Sequence, residues 1–392
     1  MHGSLGARRG PVTSRPVTDA LTVRPISDAE HLAFLETRPA ASFLQTPAWG
    51  RVKSDWRAQS LGWYAGDQLV GAGLVLHRSL PGIGRTLAYL PEGPVIDWTA
   101  DDLRAWLAPM VAVLKAEGAF GIRIGPPVVT RRWRAATVKS GLADPVLDRL
   151  GDVPADATEP VGIRVTTHLG ANGWRQQGTA GGFAAGQPRY VFQVPLVGPD
   201  GPRSDDDLLK AMNQLWRRNI KKAAKAGVKV RTGGRADLQS FHPLYAETAA
   251  RDHFTPRPLA YFETMWDQLV GERPDRMSLY LAEHEGDLVA ATTLVRVGGH
   301  SWYSYGASST AKRDVRGSNA VQWQMMRDAR DGGATVYDLR GITDTLDGDD
   351  PHVGLVTFKV GTGGEAVEHA GEWDLPLSRP LYAAFALWLR RR

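Results

Sequence analysis

The chain has 392 residues, 43% of them hydrophobic and 8% aromatic, enough for two or three domains with filled cores. It has no cysteine, which excludes disulfides, thiolate nucleophiles and cysteine metal sites, and its net charge of +5 permits polyanionic partners without requiring them. No apolar run approaches the ~18 residues that span a bilayer. Residues 1–19, rich in Arg, Gly, Pro, Ser and Thr and without an apolar stretch, read as a disordered leader and not as a signal peptide. A first domain is expected over residues 20–188. It opens on a helix, Asp28 to Thr37, with Ser27 and Glu30 in capping-box spacing. A polar turn, Gly66-Asp67-Gln68, leads into an apolar strand, Leu69 to Leu76, and a second strand runs from Leu87 to Leu90. An amphipathic helix, Asp101 to Glu117, then feeds an exit strand, Phe120 to Ile124. The stretches 151–160 and 170–188 read as loop by composition. A second domain, 189–370, is expected to start on a strand, Tyr190 to Leu196, followed by one long helix from Asp207 to Ala226. Strands Leu288 to Val295 and Ser301 to Gly306, a helix from Ser318 to Asp331 and a strand from Thr335 to Leu339 follow. Residues 371–392 are expected to return to domain one. Their apolar helix ends in three arginines, where positive charge suits the helix dipole, and it either packs back or lies on a membrane surface.

The elements after Glu285-Gly286-Asp287 repeat those after Gly66-Asp67-Gln68, about 215 residues further on: turn, two strands, helix, exit strand. Antiparallel strands that feed a helix and then a further strand form the core of the GNAT-like acyltransferase fold. The expected architecture is therefore α+β, two tandem GNAT-like domains with mixed sheets flanked by helices. Two such units in one chain suggest acyl transfer to a large acceptor.

Between Asp207 and Ala226 the residues sort onto two faces at helical period. Leu208, Leu209, Met212, Trp216, Ile220 and Ala223 share one, while Arg217, Arg218, Lys221, Lys222 and Lys225 share the other. Clustered cations repel one another, and a phosphate polymer would relieve that repulsion. A P-loop, a Gly-x-Ser-x-Gly elbow and a His-Glu-x-x-His helix are all absent, and the ten histidines lack ligand spacing, so no metal is expected. The turns before the two repeat helices, Gly93-Pro94-Val95-Ile96-Asp97 and Lys312 to Ser318, are poor in glycine, which disfavours a pyrophosphate cradle for CoA.

Four further segments carry a resemblance: Gln45 to Lys53, ending Trp49-x-x-Val52-Lys53; Arg257-Pro258-Leu259-Ala260-Tyr261-Phe262; Trp302-Tyr303-Ser304-Tyr305; and Tyr337-Asp338-Leu339-Arg340-Gly341-Ile342 followed by Phe358-Lys359. In this order, over about residues 42–373, they resemble the FemABX family of peptidoglycan-bridge aminoacyltransferases, in its compact subtype without a coiled-coil arm. The resemblance implies transfer of an amino acid (Gly, Ala or Ser) from aminoacyl-tRNA to the third-residue side-chain amine of a precursor stem peptide. Lys53, Arg257, Tyr261 and Tyr305 would hold that precursor, a UDP-linked muramyl pentapeptide or lipid II, and Lys359 would stand near the reacting carbonyl. The basic face from Arg217 to Lys225 would meet tRNA. Asp338 and Gly341 match the pattern too, with turn formation as the simpler role. Where the family often reads Arg-x-Asp-Pro, this chain reads Arg123-Ile124-Gly125-Pro126, so the proton acceptor proposed there is missing. The resemblance implies no cofactor beyond the charged tRNA, a cytoplasmic monomer, and a peripheral contact with the inner membrane face. Two other readings stand beside it: a CoA-dependent acetyltransferase, and a tRNA- or precursor-binding protein without catalysis.

Overall fold

A computed structural model describes residues 20–80, 82–178, 186–350 and 352–390. The expected leader, 1–19, lies outside the described residues. Two mixed sheets carry the chain. The first has seven strands in the order Thr22–Pro25, Arg57–Ala65, Gln68–Ser79, Thr86–Leu90, Ala119–Ile124, Trp373–Pro376, Arg175–Gln176. The second has nine, ordered Lys229–Gly233, Met277–His284, Asp287–Val297, His300–Ser308, Val336–Ile342, Tyr190–Pro195, Glu365–His369, Val129–Arg134, Ala157–Thr158.

The duplication is visible as one parallel pair in each sheet. Thr86–Leu90 pairs in parallel with Ala119–Ile124, with helix Leu103–Ala116 making the crossover. His300–Ser308 pairs in parallel with Val336–Ile342, here across helix Gly317–Asp331. A crossover helix is what two parallel neighbours require. The copies differ in how far the pair stays closed. In the first, pairing reaches Leu90 opposite Ile124. In the second it stops at Trp302 opposite Asp338, while on its other side the strand stays paired with Tyr190–Pro195 through a register shift between Asp338 and Gly341. The hairpin before each pair is set by its turn: Glu285 and Gly286 both have positive φ, +52° and +86°, which gives the tight two-residue reversal between Met277–His284 and Asp287–Val297.

The sheets do not divide the chain at residue 188. Val129–Arg134 and Ala157–Thr158, from the expected first domain, pair into the second sheet, and Trp373–Pro376 returns to the first. The C-terminal helix Arg379–Arg390 packs Phe385 on Phe120, ring centroids 5.4 Å apart, against the first sheet. One apolar cluster belongs to both halves: Phe43, Trp49, Val52, Leu74 and Leu76 pack with Met265, Leu269, Val295 and Trp302.

The long helix expected from Asp207 to Ala226 is two helices, Asp205–Ala211 and Gln214–Lys225. Ser204 caps the first with a capping box, and Asn213 caps the second by accepting the Trp216 amide at 2.8 Å. The break lets Met212 and Trp216 both reach the core, where the Trp216 indole donates to the Phe358 carbonyl at 2.8 Å. Among the described residues the longest helix, Gly317–Asp331, has 15 residues, so no long two-helix arm is present there.

Candidate functional site

Two short helices run head to tail and bring the first group together. Thr46 caps helix Pro47–Val52, which ends at Lys53, and helix Leu259–Glu272 starts after Pro258. The Glu272 carboxylate, at the end of the second, accepts the Ala48 amide at the start of the first at 2.8 Å. At the opposite ends the Lys53 ammonium lies 5.8 Å from the Tyr261 ring and 5.1 Å from the Trp49 ring, and the Arg257 guanidinium lies 5.3 Å from Tyr261. The Tyr261 and Tyr305 hydroxyls are 3.0 Å apart, and Tyr305 is fixed edge-on by Phe262. All four residues expected to hold a precursor thus meet in one cluster. Burial first, and then the Arg257 charge, lower the Lys53 pKa. Neither cation has a carboxylate within ion-pair distance among the described residues. Two unpaired positive groups over one aromatic ring are suited to an anion carrying more than one negative charge.

An aromatic seam leads from this cluster to a cavity between the sheets. Trp49 packs edge-on to Phe43 at 5.2 Å and Phe43 to Trp302 at 5.3 Å, and the Arg340 guanidinium sits 5.7 Å from Phe43. The cavity has a volume of about 220 Å³ and opens where the strands of the second parallel pair part; Glu92, Gly125, Trp302, Asp338, Arg340 and Glu372 are in its wall. Glu92 and Arg340 both have left-handed backbone, φ +47° and +62°. For side chains of this size that costs about 1–3 kcal/mol each and persists only where the surroundings impose it. What imposes it is visible: their side chains pair across the two sheets at 2.9 Å, Ser42 donates to the other Glu92 oxygen at 2.5 Å, and Arg340 also donates to the Gln187 side chain at 3.0 Å.

Asp338 is more than a turn residue. It is fully buried, accepting the Arg340 amide at 2.6 Å and the Gln193 side chain at 3.0 Å, with His300 at 3.2 Å. Burial pushes its pKa up, but the His300 hydrogen bond and charge, the Arg340 charge and Gln193 together bring it down to about 2. A carboxylate ionised in this way fixes the bulge from which Arg340 projects.

Gly125 stands at the end of the first exit strand. A Cβ there would lie 3.0 Å from the Glu92 amide nitrogen and 3.9 Å from Glu372 Cγ. The backbone that carries Glu92 leaves little room for a side chain at 125, and the Glu372 side chain lies beside it. Glu372 is 5% exposed and accepts from the Tyr89 hydroxyl, with Arg123 at 3.8 Å. Burial raises its pKa to about 7 against the opposing effects of Arg123 and Tyr89. Arg123 is itself clamped on Asp374 through two nitrogens at 2.7 and 2.8 Å, and Tyr382 of the C-terminal helix donates to the same Asp374. A carboxyl group poised near neutrality in a cavity can exchange a proton with a bound amine.

Lys359 is buried rather than a surface charge. Its ammonium donates to the Gly341 carbonyl at 2.6 Å and lies 3.5 Å from that of Arg340, directly against the bulge. Burial lowers its pKa to about 7, with Asp338 opposing and Arg340 reinforcing the shift. Of the five expected tRNA contacts, four form one face. Arg218, Lys221, Lys222 and Lys225 are exposed at spacings of three and four residues along Gln214–Lys225. Arg217 does not join them, because it turns back and donates to the Met212 carbonyl at 2.5 Å, closing the end of the preceding helix.

A family model described as "FemAB family" matches residues 26–285 and 272–388. The "Lipid II:glycine glycyltransferase" of Staphylococcus haemolyticus (strain JCSC1435) is 26% identical over 424 residues, 91% of this chain and 93% of that protein. The protein of the same description from Staphylococcus aureus (strain MRSA252) is 26% identical over 426 residues with the same coverage. Among solved structures, "Crystal structure of FemX" superposes with a TM-score of 0.76 at 25% identity, covering 92% of this chain and 99% of that one. "The structure of L-PGS from Bacillus licheniformis", at a TM-score of 0.52 and 11% identity over 93% and 97% of the two chains, shares the fold alone.

Proposed function

The chain belongs to the FemAB family, and from that premise we propose that it is an aminoacyltransferase of peptidoglycan assembly. It takes an amino acid from aminoacyl-tRNA and places it on the third-residue side-chain amine of a muramyl-peptide precursor. The carrying observation is the Lys53–Arg257 pair over Tyr261, which has no ion-pair partner among the described residues and is joined by the Trp49–Phe43–Trp302 seam to a carboxylate-lined cavity. A precursor with a diphosphate at one end and a primary amine at the other matches both. The curated relatives are described as acting on lipid II, which supports a precursor of this class.

In this reading the acceptor ammonium enters the cavity and gives a proton to Glu372. The neutral amine attacks the ester carbonyl, a C–N bond forms, and the carbonyl oxygen becomes an oxyanion, whose charge the buried Lys359 ammonium stabilises from behind the Asp338–Gly341 bulge. Collapse breaks the C–O bond to the ribose, which leaves after taking up the proton released by the nitrogen. An aminoacyl ester is already activated, and the neighbouring ribose hydroxyl can share the proton transfer, so Glu372→Gln should lower kcat only about tenfold. Its signature is the pH profile. The acidic limb near pH 7 in the wild type should flatten in the variant, and an unchanged limb would remove Glu372 from the proton path.

Along the basic face, replacement of Arg218, Lys221, Lys222 and Lys225 by glutamine should weaken charged-tRNA binding and reduce the slope of log K against log salt by about 3. Arg217→Gln should leave that slope unchanged, since its charge is already used on helix carbonyls. Filter binding of tRNA from 50 to 300 mM salt separates the two. The function as a whole is tested by incubating the purified chain with a panel of charged tRNAs and both nucleotide-linked and lipid-linked precursors, with product read by mass spectrometry. Absence of any transferred amino acid across the panel refutes the reading. Synthesis from charged tRNA assigns the reaction to the cytoplasm within the same proposal. Among the described residues no helix is long and apolar enough to cross a membrane.

A further inference from the structure

Arg340 is not explained by transfer to a simple amine. It is an always-charged side chain in the cavity wall, presented from a strained left-handed position by a bulge that Asp338 and Lys359 both brace. Among the described residues its side chain donates to the Glu92 carboxylate and the Gln187 amide oxygen, which use two of the five N–H donors of a guanidinium. The side chain stays 19% exposed in the cavity wall, and its fork suits a carboxylate. The cavity therefore combines the Glu372 carboxylate, able to receive an ammonium, with a guanidinium that already holds Glu92 on one nitrogen and presents further donors to an anion.

The donor cannot supply that anion from its amino acid, because its carboxyl is consumed in the ester to ribose. A lysine acceptor cannot supply it either, since the carbon bearing its reactive amine carries only hydrogens and the chain. An acceptor whose reactive amine and a carboxylate share one carbon would fill both halves of the cavity. Resting on the proposed function, we infer that the cavity selects a diamino-diacid at the acceptor position, a diaminopimelate-type residue whose distal carboxylate is read by Arg340, over lysine. The free C-terminal carboxylate of the stem peptide is a second source of the same chemistry, and the test must tell the two apart.

The test compares three precursors that differ only at the third residue, all with a free C-terminus: lysine, diaminopimelate, and diaminopimelate with its distal carboxylate amidated. The readout is the ratio of kcat/KM values, in wild type and in Arg340→Gln and Arg340→Lys. The wild type should prefer diaminopimelate over lysine and over the amidated form by about 10- to 100-fold, the discrimination expected of one charge-assisted carboxylate contact. Arg340→Gln should bring both ratios toward one whatever happens to the absolute rates, and Arg340→Lys should retain part of them. A loss of structure alone would lower all three substrates together and leave the ratios standing, which would overturn the inference. So would equal use of lysine and diaminopimelate by the wild type, which together with a uniform loss in Arg340→Gln points to the C-terminal carboxylate that all three share, or a preference over lysine that survives amidation. If none of the three accepts an amino acid from any charged tRNA, the transferase reading fails and this inference with it.

Discussion

Replacing Lys53 and Arg257 together by alanine is expected to raise KM for the muramyl-peptide precursor by about 10²–10⁴ without lowering the melting temperature. Each cation contributes a charge-assisted contact worth about 1.5–3 kcal/mol, and losing both removes about 3–6 kcal/mol of ground-state binding. The absence of a stability cost follows from the free protein. Neither side chain has an ion-pair partner among the described residues, and the Arg257 charge disfavours the Lys53 ammonium, so the pair repels when the site is empty. Binding the diphosphate relieves that repulsion and one substitution already abolishes it, so each single variant should cost more than half of the double. KM for charged tRNA should not move. Titration of the nucleotide-linked precursor by calorimetry, alongside thermal denaturation, checks both parts. A double variant that binds precursor normally would mean that the diphosphate lies elsewhere.

The fold was legible because its signals are local. The capping box at Ser27 and Glu30 forms as read, and the turn-strand-strand-helix-strand order recurs with element ends displaced by a few residues. Two features were hidden for different reasons. The single basic helix was a reading of period alone, and Asn213, a good N-cap in the middle of the run, was the overlooked signal for the break. The sheet crossovers at Val129–Arg134 and Trp373–Pro376 depend on pairings between residues far apart in sequence, which no local pattern encodes. The site divides in the same way. Lys53, Arg257, Tyr261 and Tyr305 stand in recognisable segments and come together in space. Glu92 and Glu372 were missed, because each is one polar residue next to a strand end and its meaning arises only when the two sheets meet; Arg340 stood inside the Tyr337–Ile342 segment but was given no role. Gly125 was read as a missing carboxylate. A Cβ at that position would crowd the Glu92 backbone, and the Glu372 side chain lies beside it, which is why the proposed proton path runs through Glu372.

Lys359→Met should lower kcat by about 10²–10³, the usual loss for one oxyanion-stabilising group, and should at the same time make the protein more stable at pH 7. The sign of the stability change follows from the amine's two environments. In the unfolded chain it takes up its proton near its ordinary 10.5, whereas in the fold burial delays protonation to about 7. Between those values the unfolded state binds a proton that the folded state does not, so wild-type stability rises with pH across the window and is lowest at and below its lower end. The full span corresponds to about 5 kcal/mol, an upper bound that methionine does not incur. Against this, methionine leaves the Gly341 carbonyl without its 2.6 Å donor, a cost of about 1–3 kcal/mol at every pH. The variant should therefore exceed the wild type by about 2 kcal/mol at pH 7 and fall below it by about 1–3 kcal/mol above pH 10.5. Urea denaturation at both pH values, paired with single-turnover kinetics, measures the crossing and the catalytic loss on one protein. A variant that is inactive and also less stable at pH 7 would make Lys359 a brace for the bulge and nothing more. One that is stabilised at pH 7 and keeps its turnover would place the oxyanion away from this ammonium. Stabilisation together with inactivation is what a buried charge kept for chemistry predicts.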